Sequence, residues 1–172
     1  MDTPRCCRWA RVRQGEGEQP IADIRQGIAA YRATGAELES SCWLALLAEA
    51  CATGDAVEEG LAALTEALDL VAKTGVRFYH AELLRLKGEL LLKRAEPNQA
   101  EASLREAIRV ASIQHAKLLE FRATTSLARL WRSQGKPQQA SELLAPVYGW
   151  FTEGFDTRDL KEAKALLEEL AA

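Results

Sequence analysis

Two histidines are the side chains best suited by type to acid–base or metal chemistry, but neither lies in a pattern that such chemistry uses. His80 and His115 are thirty-five residues apart, and neither belongs to an H-E-x-x-H sequence or a cluster of metal ligands. A zinc or general-base site needs several such groups converging on one pocket. We therefore expect both histidines to lie in loops or at helix ends, with no metal bound.

The other candidate motifs lack residues that their chemistry requires. Gly135-Lys136-Pro137 matches only the Gly-Lys pair of the phosphate-binding motif G-x-x-x-x-G-K-[ST]. Leu130 stands where the first glycine is needed, and Pro137 replaces Ser or Thr. No G-x-G-x-x-G or G-x-S-x-G sequence occurs. The sequence thus predicts a protein that is not an enzyme and that needs no cofactor.

Small and apolar residues recur at a fixed interval, and this interval determines the expected fold. Gly60, Ala100 and Ala140 are forty residues apart. The same spacing separates Leu64, Leu104 and Leu144, and also Pro97 and Pro137. A period in this range is typical of stacked helical hairpins, in which each unit buries the apolar face of its neighbour.

The order of these landmarks within one unit resembles the tetratricopeptide repeat. In the central unit it runs through Leu84, Gly88, Leu91, Ala100 and Leu104. The resemblance implies an all-α fold, an α-solenoid of antiparallel helix hairpins in which small residues let the two helices approach closely. The period of forty exceeds the usual length of about 34 residues, and we expect helices that are longer by one or two turns.

The repeat register divides the chain into two parts. We expect residues 1–19 to be an altered or partly disordered opening segment and residues 20–172 to be the helical-repeat domain. Glycines at the ends of helices, such as Gly35 and Gly75, are expected to cap them, and Asp55 is expected as an N-cap. The predicted hairpins are residues 37–74, 77–114 and 117–151, followed by a capping helix over 157–171.

The four cysteines give no sign of a metal site. Cys6, Cys7, Cys42 and Cys51 contain no C-x-x-C pair and have no histidine at ligand spacing. In the repeat register Cys51 takes the place of Leu91 and Trp131, so we expect it to be buried.

Composition and charge narrow the class of partner. Of the 172 residues, 48% are hydrophobic and 27% charged, which is typical of soluble domains rather than disordered chains. The net charge of −3 and a pI near 5.6 argue against binding to nucleic acid or to anionic lipid. No apolar run is long enough to cross a membrane or to act as a signal peptide, so we expect a cytoplasmic protein.

The family resemblance also implies a binding surface. In tetratricopeptide arrays the first helix of each hairpin lines the concave face, and this predicts a partly basic groove for a protein or acidic peptide. The alternative is a small-molecule sensor with its ligand in the same groove. The two asparagines of the family's carboxylate clamp are absent. The residues expected to contact the partner are Arg85, Leu86, Glu89, Lys93, Arg122, Thr125, Ser126 and Arg129.

A second resemblance concerns the wider context of the chain. The runs Leu144–Thr157 and Gln26–Gly35 are similar to segments of the C-terminal repeat tails of large bacterial signalling ATPases, which are linked to class III adenylate/guanylate cyclase domains or to DNA-binding domains. The nucleotide-binding loop and the cyclase core do not occur in this chain. The resemblance therefore implies only the sensor or interaction part in signal transduction, as an excised tail or a remnant of one.

The beginning of the chain departs from the repeat. The first thirteen residues contain Arg5, Arg8, Arg11 and Arg13, and form either a basic arm or an altered opening helix. The next helix then presents Ile21, Ile24 and Ile28 to a poorly matched partner. Because exposed isoleucines forgo the free energy of burial, we expect self-association through this N-terminal end.

Overall fold

The computed structural model describes residues 19–35 and 39–171 and contains eight α-helices and no strand within those ranges. The interpretations placed on residues 1–18, including the basic arm, lie outside the described residues. The helices are α1 (Gln19–Ala33), α2 (Ser40–Thr53), α3 (Val57–Thr74), α4 (His80–Lys93), α5 (Pro97–Ile113), α6 (Lys117–Ser133), α7 (Pro137–Tyr148) and α8 (Arg158–Leu170).

Six of these helices form three antiparallel hairpins: α2 with α3, α4 with α5, and α6 with α7. Each helix packs against the next along the chain, as expected for a solenoid. In addition, α2 contacts α4, α4 contacts α6, and α6 contacts α8, whereas α3, α5 and α7 do not touch one another in the part described. The first helices of the hairpins (α2, α4 and α6) therefore lie closer together than the second helices (α3, α5 and α7). The side of the array formed by the first helices is the concave face.

The landmarks of the repeat form the seams of this array. Leu64, Leu104 and Leu144 are fully buried, and so are Ala100 and Ala140. The two helices of the second hairpin approach closely, and a Cβ placed on Gly88 would lie 2.7 Å from Cγ of Leu104. The prediction that small residues permit tight helix pairing is confirmed, and Cys51 is also buried as its register required.

Left-handed backbone conformations end the helices at intervals of twenty residues. Glycines hold three of these positions, but Asp55, Ala95 and His115 also have positive φ, of 62°, 61° and 54°. The expectation that Asp55 caps a helix was wrong, because Ala56 is the N-cap of α3 and Asp55 makes the turn before it. The full series is Gly35, Asp55, Gly75, Ala95, His115 and Gly135.

Several helices are shorter than the predicted hairpins allow, because they begin later or end earlier than expected. The first helices α2 and α4 begin at Ser40 and His80, three residues later than the period indicated, and α7 ends at Tyr148. At α4 the reason is visible, because Gly75 ends α3 in the left-handed region and the chain needs the following residues to reverse direction.

The isoleucines of α1 are not left in water. Ile21, Ile24 and Ile28 are between 7% and 9% exposed and belong to one core cluster with α2 residues such as Leu44. The apolar surface on which self-association through the N-terminal end was predicted is therefore absent from these three residues.

The last helix covers the end of the third hairpin. Leu160, Ala163 and Leu166 are buried in a cluster with residues of α6 and α7. The rings of Phe121 and Phe151 pack edge to face with centroids 4.9 Å apart. Residues 149–157 are thus partly anchored to the core. Among the described helices, none combines the length and the apolar character needed to cross a membrane.

Candidate protein-binding cleft on the concave face

A cleft of about 350 Å³ lies on the concave face, between α2, α4, α6 and α8. Seven of the eight residues predicted to contact a partner line it, and the eighth, Lys93, is an exposed residue at the end of α4. The lining residues are Glu49, Ala52, Thr53, Arg85, Leu86, Glu89, Phe121, Arg122, Thr125, Ser126, Arg129, Arg158, Asp159 and Glu162.

Arg85 is the buried cation at the base of the cleft. Its guanidinium donates two hydrogen bonds to the carboxylate of Glu82, at 2.9 and 2.8 Å, and a further short one to Glu89. Burial by itself would lower the pKa of Arg85, but the hydrogen bonds from Arg85 to Glu82 and the charges of Glu89 and Glu82 outweigh it and raise this pKa. Arg85 is therefore a fixed, fully neutralised charge.

Glu82 connects neighbouring hairpins. Its side chain is 3% exposed. Besides the ion pair with Arg85, its carboxylate forms an ion pair with the guanidinium of Arg122 on α6, at 2.8 Å. Arg122 also lies 3.6 Å from the carboxylate of Asp159 on α8. A chain of opposite charges therefore runs from α4 through α6 to α8.

A second bridge crosses the cleft nearer its mouth. Ser126 donates a hydrogen bond of 2.9 Å to Glu89, which already receives Arg85. Thr125 instead donates to the backbone carbonyl of Phe121, at 2.9 Å. The two hydroxyl groups predicted as partner contacts are thus held by the protein itself, one across the cleft and one within α6.

The fourth wall comes from α8. Arg129 and Arg158 both donate to Glu162, each at 2.6 Å. These hydrogen bonds, first from Arg158 and then from Arg129, outweigh the effect of burial and lower the pKa of Glu162. Glu162 therefore remains ionised and ties α8 to the third hairpin.

The charge of the cleft differs from the prediction. Four arginines line it, but four carboxylates line it as well, and Glu82 lies beneath them. The groove is therefore not basic as a whole, because its arginines already have acidic partners within the chain. Leu86 and Phe121, which are 3% and 1% exposed, give it an apolar base.

Sequence reasoning missed Phe121 and the contribution of α8. The signal was present, because Glu82, Arg122 and Glu162 are forty residues apart and α8 follows the register of a first helix. Residues 157–171 were predicted only as a capping helix, whereas Asp159 and Glu162 of α8 line the cleft.

The residues first considered for chemistry lie elsewhere. His80 begins α4, and His115 makes a turn with positive φ, as expected for helix ends. Cys42 and Cys51 are free thiols, and burial raises the pKa of both, that of Cys51 to about 11. At neutral pH they are poor nucleophiles. Within the described ranges no group of three or more metal-ligating side chains is found.

Comparisons with known proteins establish the fold alone. No protein-family model and no curated protein matches the chain. Among solved structures, it is similar to a putative kinesin light chain from Podosopora anserina with nearly identical TPR-like repeats. That likeness has a TM-score of 0.70 and 16% identity, over 99% of this chain and 87% of the other. A single-substitution variant of the same protein has a TM-score of 0.68 and 17% identity, over 99% and 95%. The all-α tetratricopeptide-like solenoid is thereby confirmed.

Proposed function

We propose that the chain is a non-catalytic interaction module whose concave cleft binds a segment of a partner protein. The observation that carries this proposal is the cleft itself, which combines an apolar base at Leu86 and Phe121 with charged walls from three successive first helices and α8. Such a surface supplies apolar anchoring and charge-assisted contacts together.

The partner segment in this proposal is acidic. Arg129 is 43% exposed and Arg122 is 21% exposed, and both lie opposite carboxylates of α8. The acidic side chains of α8 occupy the positions that acidic side chains of a partner would take. Binding therefore requires exchange of one set of carboxylates for another, so it is expected to be moderate in affinity and sensitive to salt.

The biological setting follows from the resemblance of the closing segment. We place the module in the cytoplasm, as a sensor or interaction tail of a bacterial signalling ATPase or as a remnant of one. In that setting the partner segment carries the signal, and the module transmits it by binding rather than by chemistry.

A second candidate function is the sensing of a small molecule in the same cleft. The volume of about 350 Å³ lies in the range of ligand sites, about 300–1,000 Å³. Side chains of both signs suit a ligand that carries both charges. This candidate predicts that a metabolite alone raises the melting temperature, since a ligand that binds only the folded state stabilises it.

The experiment that tests the proposal is a binding screen of acidic peptides by fluorescence anisotropy. We expect peptides with several Asp or Glu residues around an apolar anchor to bind, and the Arg122→Ala, Arg129→Ala double variant to bind them at least about tenfold more weakly. The matched control is Arg32→Ala with Arg109→Ala, which removes two exposed, paired arginines on α1 and α5.

Two results would contradict the groove assignment. One is the absence of binding by any acidic peptide, and the other is equal weakening by the control variant. If a metabolite library raises the melting temperature and the double variant removes that effect, the second candidate replaces the first.

A further inference from the structure

All large hydrophobic side chains that the described residues leave well exposed lie at one kind of position. Each is in, or within two residues of, a connection between one hairpin and the next element. These side chains are Phe78 at 55% exposure, Ile113 at 64%, Leu118 at 55%, Trp150 at 57% and Phe155 at 48%. The turns inside the hairpins, at residues 54–56, 94–96 and 134–136, carry none.

Antiparallel hairpins place these connections on one edge of the array, opposite the turns inside the hairpins. We call this the connection edge, made of residues 75–79, 113–118 and 149–157. Gln114 donates a hydrogen bond of 2.7 Å to the carbonyl of Arg77, which joins the first two connections. Exposed apolar side chains gathered in this way on a soluble protein mark an interaction surface.

The charges along the connection edge change sign from one end to the other. Arg77 lies in the first connection and Lys73 in the last turn of α3 just before it, whereas Glu153 and Asp156 lie in the third connection. All four are exposed, and none makes an ion pair with another residue in the part of the chain described. The edge therefore has a basic end, an acidic end and a middle where exposed Ile113 and Leu118 lie beside Lys117, whose charge is paired with Glu120.

We propose that this edge binds the same edge of a second copy of the chain, in antiparallel orientation about a two-fold axis. In that arrangement the basic first connection of each copy faces the acidic third connection of the other. Ile113 and Leu118, at the middle connection, meet their own counterparts near the axis. A two-fold interface of this kind is self-complementary and closes as a dimer.

The apolar and charged residues have different roles in this interface. Burial of Phe78, Ile113, Leu118 and the aromatic residues of the third connection supplies affinity, since apolar area removed from water is the main driving force. The exposed charges set the orientation, because a parallel arrangement would place like charges opposite one another. The cleft on the concave face is not part of this surface, so dimerisation and peptide binding can be tested separately.

The first test is the oligomeric state of the full chain by sedimentation velocity, from about 1 to 200 micromolar, a range that covers modest protein interfaces. We expect a monomer–dimer equilibrium, and the Ile113→Ser, Leu118→Ser variant should remain monomeric while keeping its circular dichroism spectrum. A wild-type chain that stays monomeric throughout this range overturns the proposal.

The second test exchanges the charges. Lys73→Glu with Arg77→Glu, and separately Glu153→Lys with Asp156→Lys, should each weaken dimerisation at least about tenfold. An equimolar mixture of the two variants should recover dimers, because each basic end then again faces an acidic one. The control for net charge is the double substitution K93E/K136E, because both lysines lie in or beside turns inside the hairpins, at the opposite edge of the array.

Two outcomes of the exchange would overturn the proposal. If the mixture stays as weakly associated as either variant alone, the basic and acidic ends do not face each other. If the control variant weakens dimerisation as much as the edge variants do, the effect is one of net charge.

Discussion

Glu82 on α4 lies 2.8 Å from Arg122 on α6, and the two residues occupy the same position of successive repeats. The Glu82 side chain is 3% exposed and also accepts two hydrogen bonds from Arg85. One buried carboxylate thus neutralises guanidinium groups from two hairpins. The stacking of those hairpins depends on an ionic contact as well as on apolar seams.

Removal of this carboxylate should be costly. Glu82→Ala leaves Arg85 buried and Arg122 partly buried without their main partner, and we expect a loss of about 3–5 kcal/mol in the free energy of unfolding. Urea denaturation measures it. The matched control is Glu168→Ala, whose partner Lys164 is exposed, and which should cost less than about 1 kcal/mol. Equal effects of the two substitutions would show that the buried network contributes no more than a surface pair.

A methyl group at Gly88 should destabilise the second hairpin. The added Cβ would lie 2.7 Å from Cγ of Leu104 and 3.3 Å from the carbonyl oxygen of Ala100. Because Cγ is the branch point of the leucine, the helices must shift apart, and Gly88→Ala should cost about 1–3 kcal/mol. Gly27→Ala is the control, since nothing lies within 4 Å of its Cβ and helix propensity alone should stabilise α1 by about 0.5–1 kcal/mol. Thermal denaturation of both variants checks the opposite signs.

Two equivalent turns, at Ala95 and Gly135, should respond in opposite ways to exchange of alanine and glycine. Ala95 has a φ of 61° and Gly135, forty residues later, a φ of 73°. A left-handed conformation strains an alanine and not a glycine, so Ala95→Gly should raise stability and Gly135→Ala should lower it, each by about 0.5–1 kcal/mol. No atom lies within 4 Å of a Cβ at Gly135, so a steric clash cannot account for the loss. Chemical denaturation that gives both variants the same sign would contradict this account.

The fold was predictable because its determinants repeat. A single forty-residue register identified Gly88 and Leu104 as landmarks of one hairpin and put Cys51 in the core, without knowledge of any one contact. The turns were harder to assign, because Ala95 and His115 adopt a conformation that sequence patterns associate with glycine. The burial of Ile21 did not follow from the register, because the residues before α1 match the repeat poorly, whereas in the structure α1 packs against α2.

The candidate site was predictable in position but not in charge. The resemblance to tetratricopeptide arrays indicated which repeat positions face the concave side, and seven of the eight residues named from it line the cleft. That they contact a partner stays a prediction. Whether the charge of Arg122 is free to bind a partner depends on its ion pairs with Glu82 and Asp159, which lie thirty-seven or more residues away on other helices. Such pairing is decided by the packing of three helices together, and no local pattern in the sequence reports it.

The attachment of α8 should depend on pH through Glu162. Hydrogen bonds from Arg158 and Arg129 lower the pKa of this carboxyl in the folded chain, so its contribution to stability is present above the unfolded pKa, about 4.3, and is lost as the pH falls through the lower folded value. Because Glu162 is partly exposed, we expect Glu162→Gln to cost no more than about 1 kcal/mol at pH 7. This cost should shrink as the pH falls below 4.3. Other carboxylates titrate in the same range, so the measured quantity is the difference in unfolding free energy between wild type and variant at each pH. A difference that stays constant from pH 7 to pH 3 would mean that the ionised carboxylate does not hold α8 in place.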